Sequence, residues 1–296
     1  MPAANPNKLL IVDGHAYAYR AFYAIRQLSS PSGAPTNAIY GFIKMLGKMT
    51  EQLQPSHLVV VWDGGLAAER VAEHADYKAQ RPPMPDDLEK QLDGITDYLA
   101  AAGFASFCRD GVEADDWIAA LASQFSGELP VTIASSDKDF MQLVSEMVGL
   151  LNPNDKTEKR WTAEDVKAKT GVEPAQIVDW LSLIGDAVDN IPGVPGVGPK
   201  TATDLLRRFG SIDGIYSRLV EVKSEKLRSN LELSKDVVSR NRRLIRLRDE
   251  QPKVNLEEIA LRAPQVDRLR TLYGGWGFKT MLAQLGGTQL TQGAFL

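Results

Sequence analysis

The chain has 296 residues, 44% of them hydrophobic, with 34 basic and 38 acidic side chains and a net charge of −4. That is enough for one large or two modest domains with an ordinary core. A single cysteine, Cys108, excludes an intrachain disulfide. The opening MPAANPNK lacks the apolar run of a signal peptide, and no stretch is long enough to span a membrane, so a cytoplasmic, monomeric protein is expected.

In chain order, short runs rich in Val and Ile end in Asp: KLLIVD at Asp13, HLVVVWD at Asp63 and VTIASSD at Asp137. They are too short for helices and are followed by Gly or polar turns, which marks strands. Between them IYGFIKMLGKMTEQL and DDLEKQLDGITDYLAAAG carry helical spacing. Alternating strands and helices predict a parallel α/β sheet flanked by helices, with ligands outside the carboxyl ends of the strands. From about residue 173 the strand signals stop. PAQIVDWLSLIGD, GPKTATDLLRRFG, the charged stretch Lys223–Asp249, PQVDRLRTLYGGWGF and TMLAQLGG read as helices. The expected domains are therefore 1–172, α/β, and 173–296, all-α.

Nine carboxylates fall in five clusters: Asp13; Asp63; Glu113, Asp115 and Asp116 in VEADDW; Asp137 and Asp139 in SSDKDF; Asp186 and Asp189 in GDAVDN. Glu113 and Asp116 would share one helical face, with Asp115 at the N-terminal turn. Asp137 and Asp139 would share one side of an extended segment. Helix capping and ordinary surface turns explain single clusters. The conjunction instead points to oxygen-ligated Mg²⁺ or Mn²⁺ and a phosphodiesterase. Setting the nine aside leaves 29 acidic against 34 basic side chains, +5, the sign a nucleic-acid partner needs. Basic residues gather in DYKAQR, KTATDLLRR and RNRRLIRLR, though a solvated helix face explains the last equally well. In PGVPGVGPKTA, Gly193, Gly196 and Gly198 allow a tight turn, and Lys200 opens a helix whose N–H groups suit a phosphate. With the helix before it, this makes a helix–hairpin–helix element at about 176–209. His15, His57 and His74 read as structural or solvated, and Trp62 and Trp180 as core.

These motifs, in this order from about Lys8 to about Gly286, together with DYKAQRPPMP, resemble the bacterial 5′-to-3′ exonuclease and flap endonuclease family, which includes the N-terminal nuclease domain of DNA polymerase I. The resemblance implies a PIN-like or resolvase-like nuclease core with a helical arch at about 66–95, acting on 5′ flaps, nicks and duplex 5′ ends in primer removal and repair. It assigns Asp13, Asp63, Glu113, Asp115 and Asp116 to one metal ion and Asp137, Asp139, Asp186 and Asp189 to a second. It places Arg20 near the substrate phosphate, Lys78 and Arg81 at the scissile phosphodiester, and Arg70 and Tyr77 in the arch beside the single strand. It also implies a potassium ion at the helix–hairpin–helix element and a DNA polymerase as partner. Glu69 before Arg70, where the family has an aromatic, and Trp117, where it has a small aliphatic, are departures. Two other readings share these features: a non-catalytic DNA-structure binder, against which the full carboxylate set speaks, and a PIN-like ribonuclease, against which the helix–hairpin–helix element speaks.

Overall fold

The computed structural model describes residues 7–155, 157, 159–249 and 253–287; the outermost parts of both expected domains, 1–6 and 288–296, lie outside them. The first half runs β1 (Leu9–Asp13), α1 (Gly14–Ala24), α2 (Asn37–Leu53), β2 (His57–Trp62), α3 (Ala68–Glu73), α4 (Asp86–Ala102), β3 (Ala105–Cys108), α5 (Ala114–Phe125), β4 (Val131–Ala134), β5 (Val148–Leu151), β6 (Arg160–Trp161) and α6 (Ala163–Thr170). The second half runs α7 (Ile177–Ile184), β7 (Gly185–Asp186), β8 (Ile191–Pro192), α8 (Pro199–Phe209), α9 (Ile212–Ser217), α10 (Glu225–Leu233), α11 (Lys235–Ile245), α12 (Val266–Trp276) and α13 (Lys279–Gly287).

The sheet has the order β3-β2-β1-β4-β5-β6, parallel except for β6. Chain order runs one way from β1 through β2 to β3, then resumes on the other side of β1 with β4. That reversal opens a crevice at the carboxyl ends of β1, β2 and β4, the place where such sheets bind ligands. β1 and β2 are buried at every position, as strands covered on both faces must be, which is why they read as unbroken apolar runs. Alternate residues part between two cores. Leu10, Val12, Leu58 and Val60 share a core with α1, α2, α4, α12 and α13; Leu9, Ile11, Val59 and Val61 share one with α5 and α7 to α11.

The helical half is thus no separate body in space. α12 and α13 return to the α/β half, where Tyr273 stacks on Tyr98 (6.4 Å between centroids) and Phe278 meets Tyr40 edge-on (5.2 Å). β3, β5 and β6, four residues or fewer, complete a sheet of which the sequence patterns marked only three strands. Among the described residues no helix is long and apolar enough to cross a membrane.

Between α7 and α8 the chain makes an antiparallel β7–β8 ribbon and then a turn at 193–198. A Cβ on Gly193 would stand 2.3 Å from the carbonyl carbon and oxygen of Ile184, so this glycine is required by two backbones in contact. Gly193→Ala should therefore cost about 1–3 kcal/mol in urea unfolding, the usual cost of overpacking. A loss below about 0.5 kcal/mol would show that the two backbones separate freely.

Candidate active site

Six of the nine carboxylates line one cavity of about 390 Å³ at the crevice: Asp13, Asp63, Asp115, Asp137, Asp186 and Asp189, with His15, Tyr19, Arg81 and Lys138 among them. Asp13 ends β1 and caps α1; its Oδ1 accepts from the Ala16 N–H (3.0 Å) and its Oδ2 from the Ser135 hydroxyl (2.7 Å). Asp63 follows β2, and its N–H donates to His15 Nδ1 (3.1 Å), which fixes the ring's acceptor nitrogen. Asp186 ends β7 and Asp189 lies in the loop joining it to β8, where the Val188 N–H donates to Asp186 Oδ1 (3.0 Å).

The extended geometry expected of SSDKDF is not found. β4 ends at Ala134, and Asp137 instead caps a 3-10 turn, Lys138–Leu143, accepting from the Asp139 N–H (2.8 Å). This tight turn sends Asp137 into the cavity and leaves Asp139 half-buried, with its Oδ1 inaccessible and without a hydrogen-bond partner.

Glu113, at the N-cap of α5, and Asp116 in its first turn both meet Arg70, and neither lines the cavity. Asp116 receives both terminal nitrogens of Arg70 (2.8 and 2.7 Å) and the Arg248 N–H (3.0 Å). Glu113 receives Arg70 (3.1 Å), the Tyr77 hydroxyl (3.1 Å), the Ala67 N–H (3.1 Å) and the Lys78 ammonium. The geometry makes these two carboxylates anchors for buried cations, and only Asp115 of the VEADD cluster faces the cavity.

The arch residues differ from expectation for the same reason. Arg70 is 2% exposed and also donates through Nε to the Leu244 carbonyl (3.1 Å), tying α3 to the end of α11. Tyr77 is buried as well, so neither presents a surface to a single strand. Lys78 is buried, adopts φ 56°, and its ammonium lies 3.8 Å from Asp115. Arg81 lies at the cavity, 2.6 Å from Asp189 Oδ1. Arg20 is exposed on α1 and lines a separate depression of about 280 Å³ with Tyr17, Lys48 and Met49. Of the turn residues, Gly196 (φ 78°), Gly198 and Lys200 are exposed, whereas Gly193 is fixed by packing. In the turn of the expected helix–hairpin–helix element, the Val194 and Pro195 carbonyls accept from the Val197 N–H (3.0 Å) and Asn230 Nδ2 (2.8 Å). Trp62 and Trp180 are anchored, through Ser106 (2.9 Å) and Thr203 (3.0 Å) respectively. Ser135 and Lys138 escaped the sequence reading, although both stand within the ASSDKDF motif.

The charge of the site follows from burial. Desolvation raises the Asp13 carboxyl to about 6 against the lowering pull of Ala16 and Ser135. Burial and mutual repulsion likewise raise Asp115, Asp137 and Asp139. For Glu113 burial acts the same way, but Lys78 and Arg70 outweigh it and hold the group low. Burial alone would lower Lys78 too; Asp115 and Glu113 keep it protonated. The donor set is all hard oxygen, has several carboxyls raised by burial and mutual repulsion, and leaves one buried carboxylate oxygen unpartnered, which fits divalent cations. Among the described residues no three such side chains already meet at one point. An open ring of oxygens suits ions that keep several waters, as Mg²⁺ does.

Two sequence models of one family cover most of the chain: the 5′-3′ exonuclease N-terminal resolvase-like domain matches residues 8–171, and the 5′-3′ exonuclease C-terminal SAM fold matches 172–267. The chain belongs to the 5′-3′ exonuclease family. It is a nuclease by that membership. It is 40% identical to a 5′-3′ exonuclease of Aquifex aeolicus over 280 residues, 94% of each chain. It is 36% identical to DNA polymerase I of Caldicellulosiruptor bescii over 295 residues, 98% of this chain but 35% of the polymerase, so it spans about a third of that relative. The fold is shared with bacteriophage T5 5′-exonuclease bound to zinc (TM-score 0.68, 24% identity, 94% and 98% of the two chains). It is also shared with the catalytic core of Rad2 in complex with DNA (TM-score 0.63, 16% identity, 92% and 87%).

Two outcomes test the site's electrostatics. Below about pH 4 Asp13 is neutral folded or unfolded. Between there and about 6 only the unfolded chain ionises, so the metal-depleted protein should lose stability as pH rises, on the order of 3 kcal/mol in all. Urea unfolding from pH 4 to 7 reads this, and Asp13→Asn should flatten the slope; an unchanged slope would assign it elsewhere. Separately, Arg70→Ala strands two buried carboxylates and should cost about 3–5 kcal/mol. A denaturation loss below about 1 kcal/mol would show that the pair is dispensable.

Proposed function

We propose that the protein hydrolyses DNA phosphodiesters at 5′ ends and 5′ flaps with two divalent ions, Mg²⁺ or Mn²⁺, and serves primer removal and repair alongside a DNA polymerase. One observation carries this reading: six aspartates from four separate segments and the start of α5 converge on a single cavity at the sheet's reversal point. Asp13, Asp63 and Asp115 would hold one ion, and Asp137, Asp186 and Asp189, with Asp139 behind them, the other. Such ions supply a Lewis acid and lower the pKa of water toward neutrality.

The chain's own groups do the rest. Arg81 faces the cavity and would place positive charge beside a phosphate there. Lys78 joins it on release from Glu113. The exposed turn of Gly196, Gly198 and Lys200 at the start of α8 offers N–H groups and a cation to duplex backbone, without base contacts. The names of relatives support the substrate: the T5 flap endonuclease was solved with DNA and metal ions, and the relatives from Caldicellulosiruptor bescii and Bacillus caldotenax are DNA polymerase I.

The test compares 5′-flap, nicked and single-stranded DNA with and without Mg²⁺. Asp115→Asn should keep the fold and flap binding but lose cleavage by about a hundredfold or more, whereas Asp116→Asn should lose stability first, because its partner is Arg70. Near-normal turnover by Asp115→Asn, or equal cleavage without metal, would overturn the reading.

A further inference from the structure

Each half of the carboxylate cluster is met by cations of the chain itself. Lys78 lies at Glu113 and Asp115, Arg81 at Asp189, and Lys138 at Asp186. Lys138 is the one outside the expected arch. It opens the 3-10 turn between Asp137 and Asp139, so the turn that brings Asp137 to the cavity also brings an ammonium beside it. Its Nζ stands 3.2 Å from Asp186 Oδ1, with the lysine side chain 36% exposed and the aspartate 9%. The same Oδ1 accepts from the Val188 N–H (3.0 Å).

We propose that Lys138 is a built-in counter-ion that competes for Asp186 with the second divalent ion, so that this ion binds more weakly than the one held by Asp13, Asp63 and Asp115. The inference rests on the metal-dependent reading above. Asp137, Asp186 and Asp189 line the same cavity as Lys138, and a cation there relieves their mutual repulsion. Lysine suits a displaceable role: it is a compact charge on a flexible four-carbon stem, whereas arginine's planar fork holds a carboxylate more rigidly. With a third of its side chain in solvent, Lys138 leaves Asp186 without exposing an unpaired buried charge of its own. An ion that needs Asp186 binds in proportion to the time the pair is open. A pair closed nine-tenths of the time therefore weakens apparent affinity about tenfold.

Titration of the full chain with Mn²⁺, followed by calorimetry and by the spin resonance of free Mn²⁺, tests this without an activity readout. The parent should bind two ions of unequal affinity. Lys138→Met should tighten the weaker step about tenfold and leave the stronger within about twofold, and Lys138→Arg should restore the weaker step toward the parent's value. In metal-depleted buffer Lys138→Met should melt below the parent, and Mn²⁺ should raise its melting temperature by more; Lys138→Gln repeats the comparison should the Met variant fold poorly. Equal tightening of both steps would reveal only the loss of a general positive charge and overturn the proposal. An unchanged or weakened second step would do the same and leave the nuclease reading standing, whereas a parent that binds no Mn²⁺ would overturn both.

Discussion

Like charge at close range is the constraint on which this molecule is arranged. Two carboxylates 5 Å apart repel by on the order of 3 kcal/mol at an effective dielectric near 20, and six of them share one cavity. The fold meets this in three ways. It leaves several of them readily protonated, as the raised Asp13, Asp115, Asp137 and Asp139 show. It brings Lys78, Arg81 and Lys138 to the cluster's edge. It also spends backbone and hydroxyl donors on individual oxygens, such as Ala16 and Ser135 on Asp13. None of these neutralises the whole set, and that residual negative charge is what attracts divalent cations.

The start of α5 shows how one short motif serves two purposes. Glu113, at the N-cap, and Asp116, in the first turn, hold Arg70 and Lys78 in the interior, and of the three only Asp115 lines the cavity. A buried Arg pairing with two carboxylates is costly to break, and its Nε reaches the Leu244 carbonyl at the end of α11. The scaffold that aims Asp115 is therefore built from carboxylates that look, in the sequence, like ligands.

That ambiguity marks the limit of what could be read without coordinates. The parallel sheet was legible because β1, β2 and β4 are apolar on both faces and end near Asp, and ligand placement follows from the reversal of strand order. The same rule brings Asp13, Asp63 and Asp137 to that crevice; Asp115, Asp186 and Asp189, which also reach it, stood out only by clustering with other carboxylates, since none follows a strand of that sheet. The inward roles of Arg70 and Tyr77 were not legible, because their partner Glu113 lies more than thirty residues away and charge alone says nothing about burial. β3, β5 and β6 are too short for periodicity to show. The turn after β4 was mistaken for extended chain because alternation in Asp-Lys-Asp suits either conformation, and the Asp137 cap decided it.

The second half of the site depends on a junction between distant segments. The loop carrying Asp186 and Asp189 is fastened to residues 74–81: the Lys78 N–H donates to the Asp189 carbonyl (3.0 Å), His74 Nε2 lies 2.9 Å from the Asn190 carbonyl, and Asn190 Nδ2 donates to the Asp76 carbonyl (2.9 Å). Each segment holds one non-glycine residue in the left-handed region, Lys78 at φ 56° and Asn190 at φ 57°. Such conformations cost about 1–2 kcal/mol each for most side chains, less for Asn, and persist where surrounding contacts fix them. Here the fixing contacts are mutual, since Lys78 bonds the residue before Asn190 while Arg81 takes Asp189's carboxylate. Two acidic ligand candidates and two basic residues are thus positioned as one unit, anchored below by Lys78 in Glu113. Displacing either segment would disturb the cavity's charge and its shape together, which ties the geometry of the helical half's carboxylates to a segment of the α/β half.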